Sequence, residues 1–370
     1  MTRYDLVVAG AGIVGLAHAL AAARRGLRVA VLERDASAAS ASVRNFGFVT
    51  ISGQDEGATR TRALRSREVW EEVAAAAGIT IHQRGALVVA QRDESMEVLG
   101  QFAASPAGTG CTLLDRPQVR TRLAQVSDSV RGALWSPLEL RVEAREALPA
   151  LAKWLAERHG VSFAWNTELQ GIDGRVVRHA GGSMEADAVV IAPGVGVAAF
   201  APALAQRVRV RQCKLQMMRL AARGPLPGVV MTDLSLLRYG GFAAQPAATT
   251  LRARLERECG AELEHGVHLI VAQANDGSLV VGDSHHYGET ADPFASDAVD
   301  RLILAEYARL FDARAPRVLE RWNGYYPVAD VKPLLTEEIA PGVRLVSVTS
   351  GTGMSTAFAI AEETTAQLFG

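Results

Sequence analysis

The 370-residue sequence has little of several features that mark large classes of protein. Its formal net charge is −1, so no overall field favours nucleic acid or a membrane surface. Only three cysteines occur, scattered along the chain and without metal-ligand spacing, at Cys111, Cys213 and Cys259. This usage argues against a disulfide framework and fits a reducing compartment. We therefore expect a cytoplasmic protein with no metal site and no nucleic-acid partner.

Uninterrupted apolar runs are also short. The most apolar stretch, residues 6–23, ends in three alanines and could be taken for a signal peptide. Against that interpretation, the first five residues have no net side-chain charge, His18 interrupts the run, and cleavage after it would remove a glycine motif. A membrane span needs about 20 apolar residues without such interruptions. We expect no membrane insertion.

The N-terminus does contain the order of elements that is typical of a dinucleotide site. A predicted strand at residues 6–9 leads into the glycine turn Gly10-x-Gly12-x-x-Gly15, and a helix follows to Arg25. A second strand, residues 29–32, ends at the acid Glu33. Gly10 would form the tight turn, Gly12 would let the backbone approach a pyrophosphate, and Gly15 would let the helix pack closely on the strand. The free N–H groups of the helix would face the phosphates, and Glu33 would accept hydrogen bonds from a ribose hydroxyl.

Two later segments also run from an apolar strand into a turn of small residues. The first, residues 186–194, ends in glycine. The second, residues 343–356, passes through Gly351 and Gly353 and opens a helix to Phe369. Such turns let a ligand come close, and the helix N-terminus offers free N–H groups to a polar cofactor group.

A polar loop at residues 42–47 carries side chains with specific hydrogen-bonding capacity. Arg44 is a planar cation suited to phosphate or another planar anion. Asn45 can both donate and accept at the edge of a heterocycle. The alternative is that Ser42 and Asn45 only cap the next element.

The remaining pattern predicts helices and a central antiparallel sheet. Helices are expected over residues 61–77, 142–158 and 296–311. Strands are expected over residues 85–90, 133–135, 161–165, 267–272 and 278–282, with a hairpin at 176–182. The residues from 208 to 220 alternate in character, which predicts a long strand of this antiparallel sheet.

Together, the three glycine-bearing segments resemble the flavoprotein oxidoreductases of the D-amino-acid oxidase, glycine oxidase and sarcosine oxidase superfamily. The resemblance implies FAD as cofactor, oxidation of a C–N bond, and an α/β fold. In that fold a Rossmann-type FAD-binding domain is interleaved with an antiparallel-sheet α+β substrate domain. A chain of this length exceeds the usual single core, and the implied division is 1–80, 140–207 and 322–370 for FAD, and 81–139 and 208–321 for substrate.

The resemblance also implies which residues bind the cofactor. Glu33 would hold the adenosine ribose, the 42–47 loop would pass near the isoalloxazine, and residues 351–356 would border the flavin and its ribityl chain. The full expected set is Gly10, Gly12, Ile13, Val14, Gly15, Glu33, Arg34, Ser42, Arg44, Asn45, Phe46, Gly47, Leu169, Ala192, Gly194, Gly351, Gly353, Met354, Ser355 and Thr356. Some sarcosine oxidases attach flavin through a cysteine in the C-terminal third. None follows Cys259 here, so we expect non-covalent FAD.

One departure from the family pattern bears on the substrate. Amino-acid oxidases of this superfamily commonly carry an arginine just before a proline, where it pairs with the substrate carboxylate. Here Tyr326 stands before Pro327. A buried carboxylate without a cation would be costly, so either the anion is held elsewhere or the substrate is not an α-amino acid.

Two further segments, 42–47 and 213–217, look like a narrower subgroup linked to aminophosphonate breakdown. The favoured substrate is accordingly 2-aminoethylphosphonate or its N-methyl form, a small amine with an anionic group. The expected chemistry is hydride transfer from the carbon beside the amine to flavin N5. Hydrolysis of the imine to an aldehyde and an amine or ammonia would follow.

Several side chains are candidates for binding or orienting that substrate. They are Arg44, Asn45, Arg238, Tyr239, His285, His286 (with Tyr287 beside it), Tyr325, Tyr326 and Lys332. Each has an ordinary structural alternative: a solvent-facing cation for the arginines and Lys332, turn residues for the histidines, and core packing for the tyrosines.

Three rival functions stay open. One is a glycine, sarcosine or D-amino-acid oxidase with a relocated carboxylate site. The second is a flavin hydroxylase or nicotinamide-dependent reductase, although no second GxGxxG follows a strand to bind the nicotinamide cofactor. The third is a non-enzymatic flavin-binding redox sensor. The sequence leaves the electron acceptor open between oxygen and a carrier.

Overall fold

The computed structural model describes residues 1–222, 224–330 and 332–370. The strands in these residues are β1 (Arg3–Ala9), β2 (Val29–Leu32), β3 (Phe48–Val49), β4 (Ile81–Ala90), β5 (Thr112–Asp115), β6 (Gly132–Val142), β7 (Ser162–Ala164), β8 (Leu169–Asp173), β9 (Val176–His179), β10 (Gly182–Ile191), β11 (Arg211–Leu220), β12 (Val229–Met231), β13 (Ile270–Gln273), β14 (Leu279–Gly282), β15 (His286–Gly288), β16 (Val318–Val328), β17 (Leu334–Ala340) and β18 (Val343–Val348).

The helices in the same residues are α1 (Ile13–Arg24), α2 (Ala58–Ala77), α3 (Asp93–Ala104), α4 (Arg116–Arg122), α5 (Ala144–His159), α6 (Val197–Phe200), α7 (Pro202–Arg207), α8 (Gly240–Ala243), α9 (Ala248–Glu258), α10 (Gly260–Glu264), α11 (Asp297–Phe311) and α12 (Gly353–Phe369). Short 3₁₀ turns occur at Ala41–Val43, Pro106–Gly108 and Asp233–Leu237.

Sheet A has a parallel centre, as the N-terminal pattern predicts. Its strand order is β17-β18-β10-β1-β2-β7, and the hairpin of β8 and β9 is attached to β10. The neighbours from β18 to β7 are all parallel. Parallel strands are covered on both faces and therefore consist of continuous apolar residues, which is what residues 6–9 and 29–32 provide.

Sheet B is mainly antiparallel. Its order is β15-β11-β14-β13-β12-β4-β6-β3, with β16 paired to β11 and β5 paired to β6. The pairing of β12 with β4 is the one parallel contact in the register of its described strands. The two sheets confirm the predicted fold class, a Rossmann-type unit interleaved with an antiparallel one.

The chain passes between the two sheets several times. Segments 81–139 and 208–321, which the predicted division assigns to the substrate domain, supply most of sheet B. β3 and the end of β16 also belong to sheet B, although they lie in segments predicted for the FAD domain. The division into two domains itself stays a prediction.

Helix α1 lies at the centre of the sheet A unit because it is apolar on nearly all sides. Its residues from Gly15 to Ala22 are buried, and it packs against α12 and α5. A helix without a polar face is stable only when other elements surround it. On the far side of α12, the indole of Trp70 donates to the carbonyl of Met354 (2.8 Å) and packs edge-on against Phe358. These contacts fix the start of α12.

The strand predicted over residues 208–220 is confirmed except at its start, since β11 begins only at Arg211. Cys213 through Met218 are all buried, so both faces of this part of the strand are covered. The polar side chains are covered by the segment that leads into α11: Lys214 Nζ donates to the carbonyl of Phe294 (2.6 Å), and Gln216 Nε2 donates to Asp300 Oδ1 (2.9 Å). Polar residues on this strand therefore hold a neighbouring segment instead of facing water.

The helices of residues 1–222, 224–330 and 332–370 do not meet the requirements of a membrane span. None of them combines the length and the apolar character that a crossing needs.

A buried ion pair connects α3 to the 3₁₀ turn Asp233–Leu237. Arg92 Nη1 lies 2.8 Å from Asp233 Oδ2, and the two side chains are 9% and 0% exposed. Ser95 Oγ donates to the same carboxylate oxygen (3.1 Å). Because the turn leads directly to Arg238, this pair helps to position that side chain.

We expect Arg92→Met to lower the free energy of unfolding by about 3–5 kcal/mol, because Asp233 would keep a buried charge without its cation. The matched control is Arg301→Met, whose partner Asp297 is highly exposed, and which should change stability by less than about 1 kcal/mol. Urea unfolding followed by circular dichroism measures both. Equal midpoints for the two variants would contradict the structural role of the pair.

Candidate active site

A cavity of about 630 Å³ lies where the carboxyl ends of β1, β10 and β18 face sheet B. Ligands in open α/β sheets bind at this edge. Most of the residues predicted for the cofactor line it: Gly12, Ile13, Val14, Gly15, Ser42, Arg44, Asn45, Phe46, Ala192, Gly194, Gly351, Gly353, Met354 and Ser355. The three glycine-bearing segments are thus brought together around one space.

The glycine turn has the geometry that the motif predicts. Gly10 has a positive φ of +110°, and a Cβ there would lie 2.5 Å from the carbonyl oxygen of Ala192. A Cβ at Gly15 would lie 1.8 Å from the carbonyl oxygen of Gly10. At the first turn of α1, the N–H of Ile13 donates to Ser42 Oγ (3.0 Å). The helix N-terminus therefore opens into the cavity with small residues around it.

Glu33 lies beside this turn without lining the cavity. Its Oε2 accepts from the N–H of Ala11 (2.7 Å) and its Oε1 from the N–H of Asp35 (3.0 Å). Each carboxylate oxygen keeps a further lone pair, so the side chain can still accept from a ribose hydroxyl.

Five other predicted cofactor residues lie outside the cavity lining. Gly10 and Gly47 are backbone positions, and a Cβ at Gly47 would lie 1.8 Å from the carbonyl oxygen of Val142. Leu169 packs in the core of sheet A. Arg34 is exposed near Asp35 (3.7 Å), and Thr356 is buried and donates to the carbonyl of Thr352 (2.9 Å). Their contacts are with the protein itself.

The 42–47 loop places one free cation in the cavity. The side chain of Asn45 hydrogen-bonds to the nearby backbone. Its Nδ2 donates to two carbonyls, and its Oδ1 accepts from the N–H of Gly47 (2.7 Å). Arg44 lines the cavity and is exposed. In the described part of the chain, no carboxylate oxygen lies within 4.0 Å of the Arg44 guanidinium, so Arg44 forms no ion pair there.

At the other end of the cavity, Arg238 extends from the 3₁₀ turn Asp233–Leu237. Its Nη1 donates to the hydroxyl of Tyr287 (2.6 Å) and its Nη2 to the hydroxyl of Tyr326 (2.8 Å). The side chain is exposed and forms part of the cavity wall. Among the residues that the structure describes, no carboxylate pairs with it within 4.0 Å.

An acid and two histidines lie next to Arg238. Asp283 Oδ1 is 3.2 Å from His268 Nε2, and Asp283 Oδ2 is 3.8 Å from His285 Nε2. The two imidazoles stack with ring centroids 5.1 Å apart. His268 Nδ1 contacts Ser235 Oγ (3.1 Å), and His285 Nδ1 donates to the carbonyl of Gly266 (2.9 Å). All three side chains of the cluster line the cavity and are less than a tenth exposed.

Burial sets the protonation of this cluster. It raises the pKa of Asp283 to about 7, and the charge of Arg238 opposes that rise. It lowers the pKa of His268 to about 3 and that of His285 well below its usual value, and Arg238 lowers both further. Near neutral pH both imidazoles are therefore uncharged, and Asp283 is the group of the three that titrates.

The remaining predicted substrate residues divide between the cavity and other places. Tyr239, Tyr325 and Tyr326 line the cavity. Lys332 lines it too, but its Nζ lies 2.6 Å from Glu337, which compensates its charge. His286 is outside, and its Nε2 contacts His265 Nδ1 (3.0 Å). His286 opens β15, whereas His285 lies in the segment between β14 and β15, and the two side chains have different partners.

Sequence reasoning missed His268 and Asp283. Asp283 directly follows β14, in the same loop after a strand that made His285 a candidate. Its position in the sequence could therefore have identified it. His268 precedes β13 and reaches the cluster because the backbones of residues 268 and 283 pair (3.1 and 3.2 Å). That register is not visible in the sequence.

The cavity fits an extended cofactor with a pyrophosphate. A Cβ at Gly12 would approach Ser42 Oγ to 3.0 Å, so the absence of a side chain there keeps the cavity open next to α1. Free N–H groups at the start of α1 and a carboxylate beside the turn are the donor and acceptor set that such a cofactor needs.

Comparison with known proteins agrees with this geometry. A family described as FAD dependent oxidoreductase, DAO, matches residues 5–367. One of the subunits of the opine oxidase from Rhizobium meliloti is 24% identical over 372 residues, covering 95% of this chain and 90% of that one. Glycine oxidase of Geobacillus kaustophilus is 28% identical over 243 residues, covering 60% and 63%.

Solved structures share the fold. L-proline dehydrogenase from P. horikoshii superposes with a TM-score of 0.80 at 20% identity, covering 100% of this chain and 94% of that one. Because the family match spans nearly the whole chain and the glycine turn, helix and acid are in place, the protein is an enzyme that uses FAD. The chain belongs to the DAO family of FAD-dependent oxidoreductases.

Proposed function

We propose that this enzyme oxidises the C–N bond of a small amine that also carries an acidic group, with 2-aminoethylphosphonate or its N-methyl form as the favoured substrate. The observation that carries the proposal is Arg238. Its guanidinium faces the cavity, donates to two tyrosine hydroxyls, and lacks a carboxylate partner in the described part of the chain.

A guanidinium in such a position suits an anion. The N–H donors of Arg238 that the two hydroxyls do not use can form charge-assisted hydrogen bonds with an acidic group. The tyrosine hydroxyls accept from Arg238 through their oxygens and also hydrogen-bond with the thiol of Cys213. Arg238 therefore offers a cation with further N–H donors, held by Tyr287 and Tyr326, to one acidic group. It would take the place of the arginine that the family pattern has before the proline.

The number of donors favours a phosphonate over a carboxylate. A phosphonate has three oxygens and carries up to two negative charges, and Arg44 is a second unpaired cation on the same cavity. Glycine and proline, named for two of the related proteins, bring a single carboxylate. The resemblance of the 42–47 and 213–217 segments to the aminophosphonate subgroup points the same way.

FAD, when bound, supplies the hydride acceptor for this oxidation. The backbone of residues 12–15 would hold its pyrophosphate, Glu33 a ribose, and residues 351–355 the flavin side. The chain's own residues would bind the acidic group at Arg238, fix the 42–47 loop through Asn45, and exclude water with the aromatic wall of Tyr239, Tyr325 and Tyr326. The electron acceptor is either oxygen or a carrier.

Two alternatives lead to different results. A glycine, sarcosine or D-amino-acid oxidase would use Arg238 for a carboxylate, and the names of the relatives favour this function. A non-enzymatic redox sensor would bind FAD and respond to no amine.

We expect 2-aminoethylphosphonate and its N-methyl form to bleach the flavin absorbance of the purified protein under anaerobic conditions. Glycine, sarcosine and D-alanine should bleach it much more slowly, because a single carboxylate leaves part of the donor set unpaired. Stopped-flow absorbance at several concentrations measures each rate. Bleaching by the amino acids alone would contradict the phosphonate, and the absence of bleaching by every amine would favour the sensor.

Arg238→Met should raise the KM for the aminophosphonate by about 10- to 100-fold, since a hydrogen bond to a charged group contributes about 1.5–3 kcal/mol. Arg44→Met should have a smaller effect, because two tyrosine hydroxyls hold Arg238 in place, whereas no hydroxyl of the described residues holds Arg44. The matched control is Arg158→Met on the exposed face of α5. An amine without an acidic group, such as N-methylethylamine, should be oxidised equally slowly by all variants. An equal effect of Arg238→Met on both amines would refute the anion-binding role.

The flavin should be non-covalently bound, as the sequence predicts. The described cavity wall contains no cysteine, and burial raises the pKa of the nearby Cys213 thiol to about 11, which keeps it unreactive. Acid precipitation should therefore leave the yellow colour in the supernatant. A yellow pellet would show a covalent bond.

A further inference from the structure

The cluster of Asp283, His285 and His268 is short of hydrogen-bond donors. His285 uses its Nδ1 hydrogen on the carbonyl of Gly266, so the neutral ring presents a lone pair at Nε2. That lone pair faces Asp283 Oδ2, another acceptor, at 3.8 Å. Asp283 Oδ1 is buried without a well-aligned donor among the described residues, although His268 Nε2 is 3.2 Å away. Two acceptors thus line the cavity without a donor between them.

A group with several N–H donors and a positive charge would complete this arrangement. A substrate ammonium has both properties. The anion site at Arg238 and the acceptor site at Asp283 share the aromatic wall, since His285 packs against Tyr287 and Tyr326 with ring centroids 6.5 and 6.4 Å away. The two sites therefore match the two ends of a short zwitterion.

Building on the proposed amine oxidation, we propose that Asp283 receives the ammonium group of the substrate and takes one proton from it, with His285 as the second acceptor and His268 as a positioning residue. The transfer converts R–NH₃⁺ and the carboxylate into R–NH₂ and the carboxylic acid. No electrons move in this step. The neutral amine that results has the lone pair that must assist hydride loss from the adjacent carbon.

The charge environment makes Asp283 the group that titrates in the working range. Its carboxyl faces His268 from the β13 side, His285 on its own segment, Arg238 and Tyr239 from the 3₁₀ turn, and buried Cys213 on β11. Burial raises the pKa of Asp283 to about 7, while the pKa values of the two histidines are lowered and those of Tyr239 and Cys213 are raised. Below pH 7 the protonated carboxyl cannot accept a proton, so activity should rise with pH through this value.

The first test measures how flavin bleaching depends on pH. It uses the amine that the anaerobic experiment identifies, at a limiting concentration of that amine. In the wild type the second-order rate constant should rise through about pH 7. Asp283→Asn should lower it by about 100-fold or more, as expected for loss of a general base. The same substitution should also remove the rise of the rate constant near pH 7, so that only the ionisation of the free amine still affects the rate. Asp283→Glu should restore part of the rate and the rise.

The matched control is Asp276→Asn, in the exposed turn between β13 and β14, which should keep the wild-type rate and profile. FAD content and melting temperature show whether each variant is folded. An Asp283→Asn enzyme that retains the rise near pH 7 would overturn the proposal, even where bleaching itself supports amine oxidation. If no amine bleaches the wild type, the proposed function fails first, and the second test then decides the role of Asp283 separately.

The second test measures proton release on binding, without turnover. The dithionite-reduced enzyme is titrated calorimetrically at pH 6 with 2-aminoethylphosphonate and with ethylphosphonate, in two buffers of different ionisation enthalpy. Because Asp283 is mostly protonated at pH 6, the ammonium should drive off close to one more proton per site than ethylphosphonate does. Asp283→Asn should abolish that difference and leave the binding of ethylphosphonate unchanged.

The same proteins distinguish a proton site from a metal site. The candidate ligand atoms of the three residues lie within 4.8 Å of one another. If dialysed wild-type protein retained one equivalent of a divalent ion that Asp283→Asn lost, the cluster would be a metal site and the proposal would be overturned. We expect no stoichiometric metal, because a divalent ion would lie beside the guanidinium of Arg238 without the anion that a zwitterion brings.

Discussion

The direct contact of backbone with backbone at the glycine turn is the constraint on which the remaining structure depends. Side chains at Gly10 or Gly15 would place a Cβ 2.5 Å from the carbonyl oxygen of Ala192 or 1.8 Å from that of Gly10. Because nothing separates these backbones, β1, β10 and α1 meet at one edge of sheet A. The cavity lies at this edge, and every segment of sheet B that reaches the site must approach it.

The far half of the cavity is organised by two opposite charges that are kept apart. Arg238 donates to two tyrosine hydroxyls and Asp283 lies against two neutral imidazoles, instead of the two forming an ion pair within 4.0 Å. Keeping opposite charges unpaired in a partly desolvated space costs free energy. A ligand that carries an anion and a cation offsets this cost at both ends, which links affinity for a zwitterion to the geometry of the apoprotein.

The local pattern predicted the N-terminal strand, turn and helix, because a glycine turn between a strand and a helix specifies its own backbone. The resemblance to a known family implied the rest of the fold. Cross-strand register was not accessible in this way. His268 and Asp283 come together through pairing between residues that are 15 apart in sequence. The same limitation applies to β11, where Lys214 and Gln216 are buried by a segment about 80 residues away. Gly47 and Thr356, also predicted for the cofactor, lie outside the described cavity lining.

If the substrate carries an acidic group, as we propose, Tyr326 in the place of the family arginine means that another side chain must bind that group. In the register of sheet B, Tyr326 pairs with Cys213 on β11, so the ladder fixes where its hydroxyl lies. The cation comes instead from the end of a short 3₁₀ turn, which a ladder does not hold. Its position must therefore be set by the two tyrosine hydroxyls and by the buried Arg92–Asp233 pair at the start of that turn. Under the proposed function, anion binding would depend on two sheet strands and a turn, and altering any of these supports should move Arg238 before it changes the fold.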